Sequence, residues 1–137
     1  MIKARAMLII CAAFFAASGW QHIAAQAPTR SLQVLSHIHA GKWELRSRDS
    51  GAVQQLCLGE RRNAVQLHHQ DLACKWVVLE DGPASLTVQY TCRGRGYGRT
   101  HIRRESAQLI QLETQGIADG VPFDERVEGR LAGECAH

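Results

Sequence analysis

Cys74 to Cys92, CKWVVLEDGPASLTVQYTC, is the stretch that most limits what this chain can fold into. Its first arm, Lys75-Trp76-Val77-Val78-Leu79, is β-branched and aromatic. Its second arm, Leu86-Thr87-Val88-Gln89-Tyr90-Thr91, alternates apolar and polar side chains, as a half-buried strand must. Between them, Glu80-Asp81-Gly82-Pro83 supplies turn chemistry. Asp tolerates left-handed backbone, Gly adopts it freely and Pro ends ladder pairing. The stretch predicts a β-hairpin with a cysteine at the outer end of each arm.

The N-terminus says where those cysteines are oxidised. Met1-Ile2-Lys3-Ala4-Arg5 is a basic start, and an apolar run follows from Ala6 to Trp20. Ile23-Ala24-Ala25 offers a small-residue cleavage site, so residues 1–25 read as a secretory signal peptide. The apolar run is shorter than the roughly 20 residues of a membrane span. Cleavage after Ala25 is preferred to cleavage after Ala27, which would leave Pro28 first. Cys11 follows Ile10, where a lipid-attachment cysteine needs a small residue. The expected location is the periplasm, with no membrane span once the leader is removed. Loss of Lys3 and Arg5, with no acid, lowers the formal charge from +3 to +1. A nearly neutral domain offers nucleic acid no electrostatic footprint.

Cys11 leaves with the leader, and Cys57, Cys74, Cys92 and Cys135 remain. An even set in a small exported domain reads as a disulfide framework. No CxxC spacing and no His-x-x-x-His marks a zinc site, so no metal ligand and no cofactor is assigned. Three pairings are open. The expected one joins Cys57 to Cys74 across a short helix and Cys92 to Cys135, pinning the last strand. Cys74–Cys92 is its rival, since both lie at the open end of one hairpin and register permits them to share a face.

Residues 26–37 read as a flexible lead-in and residues 38–137 as one domain. Gly41 to Ser47 alternates, with Trp43 and Leu45 on one face and Lys42, Glu44 and Arg46 on the other. Ala52 to Leu58 is a second strand. Glu60 to His69 is the one helical candidate. Arg93 to Arg99, with three glycines, reads as a flexible turn. Thr100–Arg104, Ala107–Thr114 and Phe123–Leu131 resume the strands. Strands at hairpin spacing predict an all-β fold: an antiparallel curved sheet or small open barrel of about seven strands, with one short helix and two disulfides.

Four short motifs also follow one another in a set order: Gly41-Lys42-Trp43-Glu44, then Cys57 and Cys74 around the helix, then Tyr90-Thr91-Cys92-Arg93-Gly94, then Gly133-Glu134-Cys135. In this the chain resembles the domain-of-unknown-function 3617 family of small exported bacterial proteins, over most of the mature chain. The resemblance implies a Gram-negative periplasm and two disulfides. It implies no activity and no catalytic residues.

The best binding candidates are Arg93, Arg95, Arg99 and Arg103, in the glycine-rich segment and the strand after it. Guanidinium forks and backbone N–H groups freed by glycine suit phosphate or carboxylate. The same arginines also fit the outward face of a solvated hairpin, partly balanced by Glu105. The partner class they indicate is an anionic envelope component or an acidic protein surface. Two other readings stand beside this one. His37, His39, His68 and His69 would form a zinc or copper site if the fold gathered them, although histidines at a chain start and a helix end are usually solvated. Asp124, Glu125 and Glu128 would serve a hydrolase, yet no Gly-x-Ser-x-Gly or His-Glu-x-x-His motif accompanies them. The expected function is therefore a non-catalytic binding or envelope-associated protein.

Overall fold

The computed structural model describes residues 32–58 and 62–136. The expected leader, the start of the lead-in and the first residues of the expected helix lie outside the described residues. In chain order the elements are α1 (Gln33–Ser36), β1 (Lys42–Ser47), β2 (Val53–Cys57), α2 (Arg62–Val65), a 3-10 turn (Leu67–His69), β3 (Lys75–Asp81), β4 (Ser85–Cys92), β5 (Gly96–Ser106), β6 (Leu109–Ala118) and β7 (Val121–Gly133). The strands form one sheet in the order β2-β1-β7-β6-β5-β4-β3, and every neighbouring pair is antiparallel. The sheet stays open, with β2 and β3 as its edges. The predicted all-β, seven-stranded antiparallel sheet is the one observed.

Alternation sorts the side chains onto two faces. Trp43 and Leu45 on β1, Leu86, Val88 and Tyr90 on β4, Ile102 on β5, Ile110 and Leu112 on β6 and Val127 on β7 are buried together. Val34, Leu35 and Ile38 cover part of this face, and Leu58, Ala64, Val65 and Leu67 from the β2–β3 connection cover the rest. The described end of the lead-in is therefore packed, not loose. Val34 and Leu35 bury against the sheet, and the Gln33 backbone N–H donates to Asp81 Oδ1 at 2.8 Å.

The expected helix over 60–69 is broken. α2 ends at Val65, and Gln66 takes φ −119°, ψ 55°, outside the helical region. The cause is the Gln66 side chain, which is wholly buried. Its amide N–H₂ donates to the carbonyls of His69 (2.6 Å) and Leu72 (2.8 Å), and its amide oxygen accepts from Trp76 Nε1 (3.1 Å). One glutamine thus ties the connection to itself and to β3. Gln66→Leu would leave two carbonyls and an indole N–H without these partners. We expect it to cost about 2 kcal/mol. Urea denaturation reads this directly, and an unchanged midpoint would show that the three bonds carry no net stability.

The expected cysteine pairing is also corrected. The pairs are Cys74–Cys92 and Cys57–Cys135. Register decides the first. Lys75 faces Thr91, so the next position out sets Cys74 opposite Cys92, with Cα atoms 4.3 Å apart. That is the close spacing of facing antiparallel residues. The second follows from β1. Lys42 lies between Cys57 on one side and Gly133 on the other, and Cys135 reaches back to Cys57 with a Cα separation of 5.7 Å. Two cysteine pairs at disulfide distance fit an oxidising compartment. Among the described residues, no helix is long and apolar enough to cross a membrane.

Candidate functional site

The segment expected to be a flexible turn is mostly strand. Only Arg93–Arg95 turns, and β5 begins at Gly96. The glycines serve close approach instead. Gly98 is paired with Tyr90 on one side and Gly116 on the other. A Cβ on Gly98 would sit 2.5 Å from Tyr90 Cζ, and one on Gly116 would sit 2.8 Å from Phe123 Cζ. Two aromatic rings thus lie over two glycines at one end of the core.

His68 and His69 join these rings. His68 stacks on Phe123 with centroids 4.1 Å apart, and His69 meets Tyr90 edge-on at 5.4 Å. His69, expected in solvent, is buried. Its Nε2 is 3.2 Å from the Arg95 carbonyl, so that nitrogen must carry a proton and donate it. Its Nδ1 then accepts from the Tyr90 O–H at 3.3 Å. Burial pushes the Tyr90 phenol up to about 12, against a smaller opposing effect of its hydrogen bond with Thr114, so it stays protonated to donate. Thr100 Oγ1 donates to the Val65 carbonyl at 2.5 Å and lies 2.8 Å from Thr114 Oγ1. This chain of polar groups fastens α2, the 3-10 turn and the β4–β5 turn to the sheet. Every nitrogen of His69 is engaged, which leaves it nothing to offer a metal.

The opposite face of the sheet carries no described helix and gathers the ionisable groups. Two cross-strand rows run over β4–β7. In one, Gln89, Arg99, Gln115 and Asp124 stand side by side; in the next, Thr87, His101, Glu113 and Arg126 do. Between them lies a depression of about 580 Å³ lined by seven of these eight residues, all but Gln89, and by Thr114. A second hollow of about 400 Å³ shares Arg99, Gln115 and Asp124 and adds Tyr97, Gln89 and Phe123. A third, of about 170 Å³, shares His101, Glu113 and Arg126 and adds Arg48 and Arg103. Together they make one polar trough along β5–β7, with the half-exposed ring of Tyr97 at one end.

The charges in and around the trough are mostly committed. Arg126 holds Asp49 at 2.5 Å, and this bond lowers the Asp49 carboxyl and raises the guanidinium. Glu80 is lowered by hydrogen bonds from Ser85 and then Thr87. Thr87 Oγ1 donates to Glu80 Oε2 at 3.1 Å, so it accepts from His101 Nδ1 at 2.9 Å, which fixes the ring. Glu128 is lowered by Gln111 and Arg130 and also meets Arg48 at 3.4 Å. Arg99 differs. Among the described residues it makes no ion pair and no side-chain hydrogen bond.

The four candidate arginines do not converge. Arg93 is exposed on the turn. Arg95 is tied to Asp119 of the neighbouring turn at 2.5 Å, and Arg103 to Glu105 at 2.8 Å. Arg99 sits in the trough and Arg103 lines its far hollow. The carboxylates proposed for a hydrolase are split. Asp124 and Glu128 stand on the open face, whereas Glu125 faces the core side, 3.3 Å from His68 Nε2. Among the described residues, no three His, Cys, Asp or Glu side chains gather as a metal site would need, and His37 and His39 are exposed beyond α1. Glu113 and Gln115 are functional-face residues that no sequence motif marks. Their signal is simple alternation on β6, which puts both on the face of Arg99 and His101. Compared with known proteins, the chain matches no family model, no curated protein and no solved structure.

Proposed function

We propose that this protein is a non-catalytic binding domain of the bacterial periplasm, delivered there by a cleaved signal peptide over residues 1–25. Its ligand is an anionic, hydroxyl-rich envelope component, of the kind an acidic glycan presents, held on the open face of the sheet. The observation that carries this reading is Arg99 in the 580 Å³ depression, with no ion pair among the described residues. A guanidinium in this position suits a carboxylate or phosphate. Gln89, Gln115, Glu113 and Asp124 beside it suit hydroxyl groups, and Tyr97 offers a ring face. The resemblance to the domain-of-unknown-function 3617 family supports the same compartment and brings no activity.

Binding is favoured over hydrolysis by where the candidate carboxyls stand: Asp124 and Glu128 lie on the open face, whereas Glu125 lies on the core side against His68. Glu128 is moreover shifted down by its hydrogen bonds with Gln111 and Arg130, whereas a general acid needs a carboxyl pushed up.

The test is calorimetric titration with oligogalacturonate and with its neutral, esterified counterpart. The acidic form binds, more weakly as salt rises. Arg99→Gln weakens it about tenfold or more, as loss of one charge-assisted bond should, while stability changes by less than about 0.5 kcal/mol. Equal affinity for the neutral form, or for the Arg99→Gln protein, would contradict the proposal.

A further inference from the structure

We infer that the β3 edge is an interaction surface for a second copy of this chain, joined strand to strand so that two sheets become one. Among the described residues β3 pairs with β4 as its one strand neighbour, and its outer edge is met at the Asp81 end, where Gln33 of α1 donates to the Asp81 carboxylate and carbonyl. It is also the most apolar exposed part of the sheet: Val77 is 61 % exposed, Leu79 51 % and Val78 37 %. Natural edge strands are usually blunted by proline, by central charges or by a covering element. Among the described residues such devices are confined to the Asp81 end, in the irregularity between Val78 and Glu80 and the Gln33 contact with Asp81, which leaves Lys75 to Val78 open. The opposite edge, β2, is polar at Gln54 and Gln55 and is fastened at its end by Cys57–Cys135.

The occupant follows from the charge pattern of the strand. β3 reads Lys75-Trp76-Val77-Val78-Leu79-Glu80-Asp81, a cation at one end, two acids at the other and apolar residues between. Antiparallel pairing of two copies about a twofold axis sets Lys75 of each beside the acidic end of the other. Val77, Val78 and Leu79 then meet at the axis. Parallel pairing would instead set like charges together, which costs several-fold in affinity. Glu80 is suited to this part, because Ser85 and Thr87 already hold its carboxylate ionised on the open face. Lys75 makes no ion pair among the described residues. The strand is thus self-complementary, as an isologous interface requires. Main-chain hydrogen bonds would supply affinity, and the end charges would set direction.

Sedimentation of the oxidised protein over a concentration series tests this, alongside hydrogen exchange at the two extremes. A monomer–dimer equilibrium is expected, with the β3 amides gaining protection as concentration rises. Val77→Lys places two cations near the axis, and Lys75→Glu opposes acid to acid at both ends. Each should weaken dimerisation by about tenfold or more. Because Val77 and Lys75 are exposed, both variants should keep the wild-type melting temperature within a few degrees. A protein that stays monomeric throughout, or a dimer that neither variant weakens, would overturn the inference.

Discussion

Replacing Gly98 by alanine is expected to destabilise the domain by about 3 kcal/mol, the upper end of what one extra methyl costs in a filled core. The added Cβ would stand 2.5 Å from Tyr90 Cζ and 2.9 Å from Cε1. Carbon atoms approach to about 3.5–4.0 Å at best, so the ring has to move. It has nowhere to go. Tyr90 is fully buried, and its hydroxyl is held by His69, which is in turn held by the Arg95 carbonyl. Displacing the ring therefore breaks the chain of bonds that fastens the β4–β5 turn. For a domain of this size the melting temperature should fall by about 10 °C or more. A control substitution at Gly51 should behave differently, because a Cβ there meets nothing within 4 Å, although its φ of +73° carries a modest backbone cost. If Gly98→Ala melts no lower than wild type, the seat of Tyr90 on Gly98 is wrong.

Removing the Cys57–Cys135 bridge is expected to have the largest single effect. The bridge closes a separation of 78 residues, and the chain-entropy model assigns such a loop about 4.5 kcal/mol. Cys74–Cys92 closes only 18, which gives about 3 kcal/mol. Most small domains have 5–15 kcal/mol in total. A Cys57→Ser, Cys135→Ser protein should therefore unfold well below wild type, and below Cys74→Ser, Cys92→Ser. Equilibrium denaturation of the two double variants without reductant makes the comparison. Peptide mapping of the oxidised protein must also join Cys57 to Cys135 and Cys74 to Cys92. A reversed order of stabilities, or a peptide joining Cys57 to Cys74, would reject this connectivity.

The disulfides show what sequence pattern resolves and what it leaves open. The hairpin from Lys75 to Cys92 is legible because alternation and turn chemistry agree, and Asp81 and Ser85 bound its turn in the structure. The pairing is not legible from the arms alone. It depends on which residue of β3 faces which residue of β4, a fact of register that slips by one without changing composition. The expected helix fails for a similar reason. Its apolar stripe is real, since Ala64, Val65 and Leu67 are buried, but Gln66 inside it spends its amide on Leu72 and Trp76 rather than on solvent. A long-range bond of that kind overrides local propensity. Glycine was misread through its usual role. Three glycines in a row of five suggest flexibility, yet Gly98 is required by the ring of Tyr90 across the ladder. The signal was present in the hairpin itself: a turn centred on Arg93–Arg95 sets residue 90 against residue 98.

The candidate site was legible by half. The arginines were marked from composition, and Arg99 is among them. Their convergence was not readable, because strand geometry carries Arg103 four residues along β5 from Arg99, and because Asp119 and Glu105, distant or adjacent in sequence, take up Arg95 and Arg103. The neighbours that give the trough its mixed character, Glu113, Gln115, Asp124 and Arg126, come from β6 and β7. They become visible only once the strand order is known.

The most direct measurement is an amide chemical-shift map of the labelled, oxidised protein titrated with oligogalacturonate. The account predicts that the shifted residues cluster on the open face, at Tyr97, Arg99, His101, Glu113, Gln115 and Asp124, and that Arg99→Gln removes the response. Saturating ligand that leaves these residues unmoved, or that shifts only the helix-covered face around Val65 and Leu67, would contradict it.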